Sequence, residues 1–363
     1  MSNKNFPWFA GAFQAQVLIT DPLVAITATR SNLPLGPVPC IAARVGDREC
    51  WWLIVIHWTI EIEDRHTPIV AAYRAFAANY SRHQILYLCN TERERELLAS
   101  AGVPAIFCNH NVLVSERLYV PDAGKTKEYD AVYTARMLPY KRHALGCVIP
   151  SLALIYYDVE SAEPGYFDTV REALPNAVFV NEVLAKAGYG QLANSRAQAL
   201  AAQLFAKRNF VALRPEKVSE VLNRARVGLC LSAAEGAMYA SMEYLLCGLP
   251  VVSTENYGGR DEFFDAEYCR TVPPDPYVVA AAVAELADRN IAAARVREST
   301  LARVGAMRDR LRLHVASMVG RASRAERLEA AFDQLFSGRW WRWYELDELC
   351  AAAQSAPGDI VAG

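Results

Sequence analysis

Two glutamates and two cations carry the chemistry that this sequence offers most openly. Glu235 and Glu243 stand eight residues apart within the segment 227–254, VGLCLSAAEGAMYASMEYLLCGLPVVST. Eight helical residues rise roughly 12 Å, about the length of a nucleotide sugar, so one acid could hold each end of such a ligand. Glu243 falls in a stretch otherwise apolar or small, where a carboxylate is costly without a partner. The plainer alternative is an acid complementing a helix dipole at 235 and a solvated acid at 243. Arg136 and Lys141 follow the apolar run YDAVYT and precede the next element. Two cations at a helix N-terminus oppose its dipole unless an anion lies between them, which describes a phosphate site; the alternative is a solvated basic turn. His57 closes the apolar run CWWLIVI, either facing a ligand from a strand tip or capping that strand.

These side chains need elements to aim them. The segment 227–254 reads as a βαβ unit: a strand over 227–231, a loop of small residues, a helix over 238–247, a stop at Gly248 and a buried strand over 249–253. The loop after the first strand lies where open parallel sheets bind ligands. Upstream, short strands are expected over 17–20 and 24–29, and Pro34, Gly36, Pro37 and Pro39 predict a loop. The spacing then predicts strand 50–56, helix 67–82, strand 85–89, helix 91–101 and strand 104–108, an alternation that argues for a parallel sheet. Residues 118–128, with Pro and Gly among charges, read as a linker. A second series follows: strands 129–134 and 151–157, a helix within 164–174, strand 177–180, helix 193–208 and strand 210–213. After the central unit come helices 276–288, 291–312 and 324–336. The expected domains are 1–120, 121–335 and a C-terminal segment 336–363.

The run from Glu235 through Gly-Ala-Met-Tyr-Ala-Ser-Met to Glu243, then Tyr-Leu-Leu-Cys-Gly-Leu-Pro-Val-Val, resembles the Glu-x7-Glu signature of family-four retaining glycosyltransferases. The trailing Gly258-Gly259 pair belongs to the same likeness, which extends over 129–286. That resemblance implies a GT-B architecture: α/β, two Rossmann-like domains facing a cleft, the N-terminal one here reduced in size. It implies that Glu235 binds the donor sugar and Glu243 the nucleotide ribose, with Gly236, Ala237, Met238 and Tyr239 lying along the donor between them. Arg136 and Lys141 match the donor-diphosphate cations, His57 a histidine facing the transferred sugar or acceptor, and Arg214 and Val218 the turn that grips the base. Gly258 and Gly259 would let backbone approach the donor, flanked by Arg260 and Asp261. An N-terminal Gly-rich loop touches the phosphates in that family, a role for which Gly11 is the nearest match. The aromatic run 339–344 would pack at a seam between the domains, after a final helix crossing back to the first.

Composition marks a globular, near-neutral chain. The 363 residues are 53% hydrophobic with a formal net charge of −2, which gives no basic surface for nucleic acid. The nine cysteines are scattered and lack a CxxC pair, which points to reduced thiols and away from structural zinc. No apolar run reaches membrane-span length and the N-terminus lacks a signal-peptide core, so a cytoplasmic protein is expected. No Asp-x-Asp triplet occurs, so transfer without metal or other cofactor is expected, from a UDP- or GDP-linked donor to a glycan or small-molecule acceptor. A lipid-linked acceptor would bring peripheral membrane contact. Three other outcomes fit the same residues: a GT-B-like nucleotide-sugar 2-epimerase, a sugar-phosphate phosphorylase, and a nucleotide-sugar-binding subunit that works only with a partner chain.

Overall fold

The computed structural model describes residues 12–30, 32–157, 165–189, 213–320, 322–338 and 342–354. Gly11, the helix expected at 193–208 and most of the strand expected at 210–213 fall outside them. Alternating apolar residues build a first sheet from β1 (Ala12–Thr20), β2 (Leu23–Ala28), β3 (Cys50–Val55), β4 (His83–Cys89) and β5 (Ala105–Phe107). A late strand, β12 (Arg342–Glu345), returns to its edge, giving the order β12-β1-β2-β3-β4-β5. The pairs from β2 to β5 are parallel; β1 pairs antiparallel with both β2 and β12. Parallel neighbours need crossovers, which are supplied by α1 (Val38–Val45), α2 (His66–Ala77) and α3 (Glu92–Ser100).

The second sheet is parallel throughout, in the order β11-β10-β9-β6-β7-β8. Its strands are β6 (Tyr129–Arg136), β7 (Leu152–Tyr157), β8 (Val178–Phe179), β9 (Ala225–Cys230), β10 (Val251–Thr254) and β11 (Cys269–Val272). Helices α4 (Tyr166–Ala173), α5 (Val180–Lys186), α6 (Pro215–Leu222), α7 (Tyr239–Leu246) and α8 (Pro276–Asp288) connect or cover them. Strand order reverses between β6 and β9, and such a switch point opens a crevice beyond the strand ends. Two further helices, α9 (Ala293–Val319) and α10 (Ala322–Ser337), lead back to the first sheet, and α11 (Leu346–Gln354) follows β12.

Side-chain alternation divides the core. Ala25, Trp52, Ile54 and Tyr87 face one side of the first sheet with Leu349 of α11. Val24, Ile26, Leu53 and Leu88 face the other side, in a cluster that runs through Val112 and Leu113 into the second unit. Period-two alternation forces this partition. The fold is therefore α/β, two Rossmann-like units with their strand ends turned toward each other.

Several expectations change. The prolines at 37 and 39 do not mark only a loop: they open α1, where a missing N–H costs nothing. No α-helix follows Arg136; two 3-10 turns, Pro139–Lys141 and His143–Gly146, bridge to β7 instead. Residues 342–344 of the aromatic run lie in the edge strand β12. No helix among the described residues is long and apolar enough to cross a membrane.

Candidate functional site

β6 ends at Arg136, which is exposed, and the turn after it folds Lys141 inward. Arg142 shapes that turn. It takes a left-handed conformation at φ 53°, and its guanidinium bonds Leu231 O at 2.6 Å and Thr254 Oγ1 at 2.7 Å. Tyr133 Oη donates to Lys141 O at 2.6 Å, and Ala233 N donates to Tyr140 O at 3.0 Å. The turn is thereby fixed to the loop after β9, and Lys141 Nζ forms an ion pair with Glu235. Both side chains are only 7% exposed, so each charge has its partner instead of water. Two of the sequence-derived candidates thus meet directly, at the switch point between β6 and β9.

The helix dipole assigned to the cations is a correction: a 3-10 turn stands where an α-helix N-terminus was expected. The helical spacing between the glutamates is another. Residues 235–238 are loop, with Met238 left-handed at φ 54°, and α7 starts at Tyr239, so Glu235 and Glu243 do not share one helix. Glu243 is half-buried on α7 and accepts from Tyr119 Oη at 2.7 Å. Burial pushes its carboxyl up to about 7, against the Tyr119 hydrogen bond that favours the charged form.

His57 lies across from the ion pair. Its N–H donates to Thr29 Oγ1 at 3.0 Å, which sets the chain at the tip of β3. His57 keeps exposed surface while protein crowds its ring. That crowding lowers its pKa first; Arg136 and Arg30 lower it further, and Glu235 acts against them. Arg30 was not anticipated. It follows β2 at the same end of the sheet, with its guanidinium 5.3 Å from the Phe13 ring centroid and 6.0 Å from that of Trp343. A cation just past an apolar strand was the available signal.

The remaining candidates divide between the crevice and the packing around it. Gly236 lies under the first unit: a Cβ there would be 2.5 Å from His57 O. Ala237 is fully buried, and its carbonyl accepts from Asn111 Nδ2 at 2.7 Å. Tyr239 is half-buried, its ring 5.0 Å from that of His110. Gly258 has φ +99°, and a Cβ would lie 1.9 Å from Glu235 O; at Gly259 it would lie 2.4 Å from Asn90 O. Both glycines therefore serve close backbone contact within the protein. Arg260 is wholly buried, bonding Ser232 O at 2.8 Å and Ser253 Oγ at 2.9 Å, so it ties the loop after β9 to β10 and its guanidinium is spent inside the protein. Arg214 is exposed at the cap of α6. Val218 is a core residue at 2% exposure, and its N–H donates to Arg214 O at 3.0 Å.

Comparison with known proteins adds a family match over part of the chain and a fold. The family model described as Glycosyl transferases group 1 matches residues 167–289, the stretch that contains both glutamates. HepE of Anabaena, solved in complex with UDP, has a similar structure: TM-score 0.51 at 16% identity, over 80% of this chain and 78% of that one. A second HepE structure, with UDP and glucose, gives TM-score 0.50 at 13% identity over 77% and 82%. TarM of S. aureus gives TM-score 0.49 at 14% identity over 72% of this chain, which spans 49% of TarM, about half its length. At such identities the likeness is one of fold, the GT-B arrangement. No curated protein sequence matches the chain.

Proposed function

We propose that the chain is a glycosyltransferase that moves a sugar from a nucleoside diphosphate sugar to an acceptor hydroxyl, with retention of configuration and without a metal ion. The observation that carries this reading is the buried Lys141–Glu235 pair at the switch point, with Arg136 exposed beside it and His57 facing it. As the bond from the anomeric carbon to the diphosphate oxygen breaks, negative charge grows on the leaving group. Arg136 and Lys141 are the groups to receive it, since cations aimed where charge develops stabilise the transition state. Glu235, released from Lys141 as the phosphate takes its place, is free to accept sugar hydroxyls. The match of 167–289 to Glycosyl transferases group 1 supports the donor half of this assignment. HepE binds UDP on a similar fold, which makes a uridine nucleotide the first probe.

The test is thermal stability of the full chain against UDP, GDP, ADP, UDP-glucose and GDP-mannose, followed by release of nucleoside diphosphate with and without chelator. A true ligand at a hundredfold excess over its Kd adds roughly 2.7 kcal/mol to stability. At least one nucleotide should raise the melting temperature, and its sugar adduct should turn over in chelator. A chain that no nucleotide stabilises is not a glycosyltransferase. Chelator-abolished turnover restored by manganese removes the metal-free mechanism alone.

A further inference from the structure

Trp58 follows His57 beyond the tip of β3, and nothing above gives it a role. Its indole packs edge-on against the phenol of Tyr140, with centroids 4.9 Å apart and planes at 84°. Lys141 Nζ lies 5.3 Å from the centroid of the same phenol. The first unit's Trp58 and the ion pair of the second thus share one ring. The backbone agrees with this placement. A Cβ on Gly236 would strike His57 O, and one on Gly258 would come within 3.0 Å of Thr59 Cβ. Residues 57–59 therefore sit directly on the loops that carry Glu235 and Gly258.

The indole Nε1 is buried and has no hydrogen-bond partner among the described residues. An indole N–H can only donate, and a buried donor left unmade is a standing cost. Native proteins keep few such groups, and a ligand is one reason to keep one. We propose that Trp58 and Tyr140 wall the position of the transferred sugar, and that the Trp58 N–H donates to a hydroxyl of that sugar and so selects it. This rests on the glycosyl-transfer reading. The chemistry divides cleanly: Arg136 and Lys141 suit the anionic diphosphate, whereas two uncharged aromatic faces and one lone donor suit a neutral polyhydroxyl ring. The rings come from facing halves of the molecule and meet only edge to face, so a turn of either side chain as donor enters uncovers the N–H without moving the seam.

Trp58→Phe keeps an aromatic wall and deletes the donor. Calorimetric titration of the full chain with UDP, UDP-glucose and UDP-N-acetylglucosamine, and with GDP and GDP-mannose, measures what the sugar adds to nucleotide affinity. In Trp58→Phe the affinity for the free nucleotide should stay as in the wild type. The advantage of the preferred nucleotide sugar should shrink on the order of tenfold. The melting temperature without ligand should hold or rise, because an unsatisfied donor has gone; a merely structural tryptophan would lower it. An undiminished sugar advantage in Trp58→Phe overturns the proposal, as does a wild type that binds nucleotide but gains nothing from the sugar. A wild type that binds no nucleotide overturns the glycosyl-transfer reading, and this inference with it.

Discussion

At the scale of single residues, charge and burial assign different work to the two cations. Lys141 is paired inside the protein and Arg136 stands in solvent. Removing one member of a buried pair strands the other charge in a low dielectric, at a cost of about 3–5 kcal/mol, whereas replacing both by apolar groups is often neutral. Lys141→Met should therefore lower unfolding free energy by about that amount in denaturant titration, and Lys141→Met with Glu235→Leu should recover most of it. Arg136→Ala should leave stability unchanged and slow turnover of a nucleotide sugar roughly a hundredfold, the usual loss for one transition-state donor. A loss below about 1 kcal/mol in Lys141→Met would mean that the pair is effectively solvated. The kinetic role of Lys141 then has to be read at conditions where the variant is shown to be folded.

At the scale of elements, the chain was legible where pattern alone decides. The parallel strands and α8 follow from apolar runs bounded by Gly, Pro and Asp, and α8 begins at Pro276 and ends at Asp288 as the spacing predicts. What stayed hidden depends on contacts distant in sequence. Nothing in the four residues Arg342-Trp-Tyr-Glu345 marks them as a strand that must find β1 some 330 residues away. Nothing local to 118–128 says that Tyr119 reaches Glu243. The two glutamates and the two cations were legible by type and spacing, but the meeting of Lys141 with Glu235 was not, because Arg142 makes it by binding carbonyl and hydroxyl groups of other loops. The burial of Glu243 also sets a pH dependence, which the Tyr119 hydrogen bond only moderates. With the Glu243 carboxyl pushed up to about 7, the folded protein holds a proton that the unfolded chain releases above its ordinary pKa. Its contribution to stability is full below the unfolded value, near 4.5, and is lost as pH rises through about 7. If the carboxylate form holds the ribose hydroxyls, affinity runs the other way and falls as pH drops below about 7. Titrating UDP-glucose, whose diester phosphates do not titrate there, from pH 5.5 to 8.5 should show that slope, and Glu243→Gln should flatten both affinity and its own share of stability. A slope that survives in Glu243→Gln would detach Glu243 from the nucleotide.

At the scale of the molecule, the two sheets meet through polar groups that only one relative placement satisfies. Asn109 Nδ2 donates to Asn90 O at 2.9 Å within its own unit and to Gly259 O at 2.6 Å across the seam. Asn111 Nδ2 reaches Ala237 O at 2.7 Å, and Gly258 N donates to Glu61 Oε2 at 3.2 Å. Polar seams of this kind hold geometry more than they add stability, since hydrogen bonds made on docking replace ones to water. Arg136, Lys141 and Glu235 all belong to the second unit, while His57 and Trp58 belong to the first. A change at the seam should therefore separate donor binding from turnover. In Gly259→Ala the new Cβ would stand 2.4 Å from Asn90 O and 2.5 Å from Asn109 Nδ2, both in the first unit, so one unit must shift against the other. A displacement approaching 1 Å is worth on the order of a hundredfold in rate. Turnover of a nucleotide sugar should fall by about that factor while affinity for the free nucleoside diphosphate changes little, because its cations sit wholly in the second unit. Asn109→Ala removes the same cross-seam bond without a clash and should show a weaker form of the same split. If nucleotide affinity fell in step with turnover in both variants, the nucleotide itself would span the seam, and its diphosphate would reach His57 and Arg30 as well as Arg136 and Lys141.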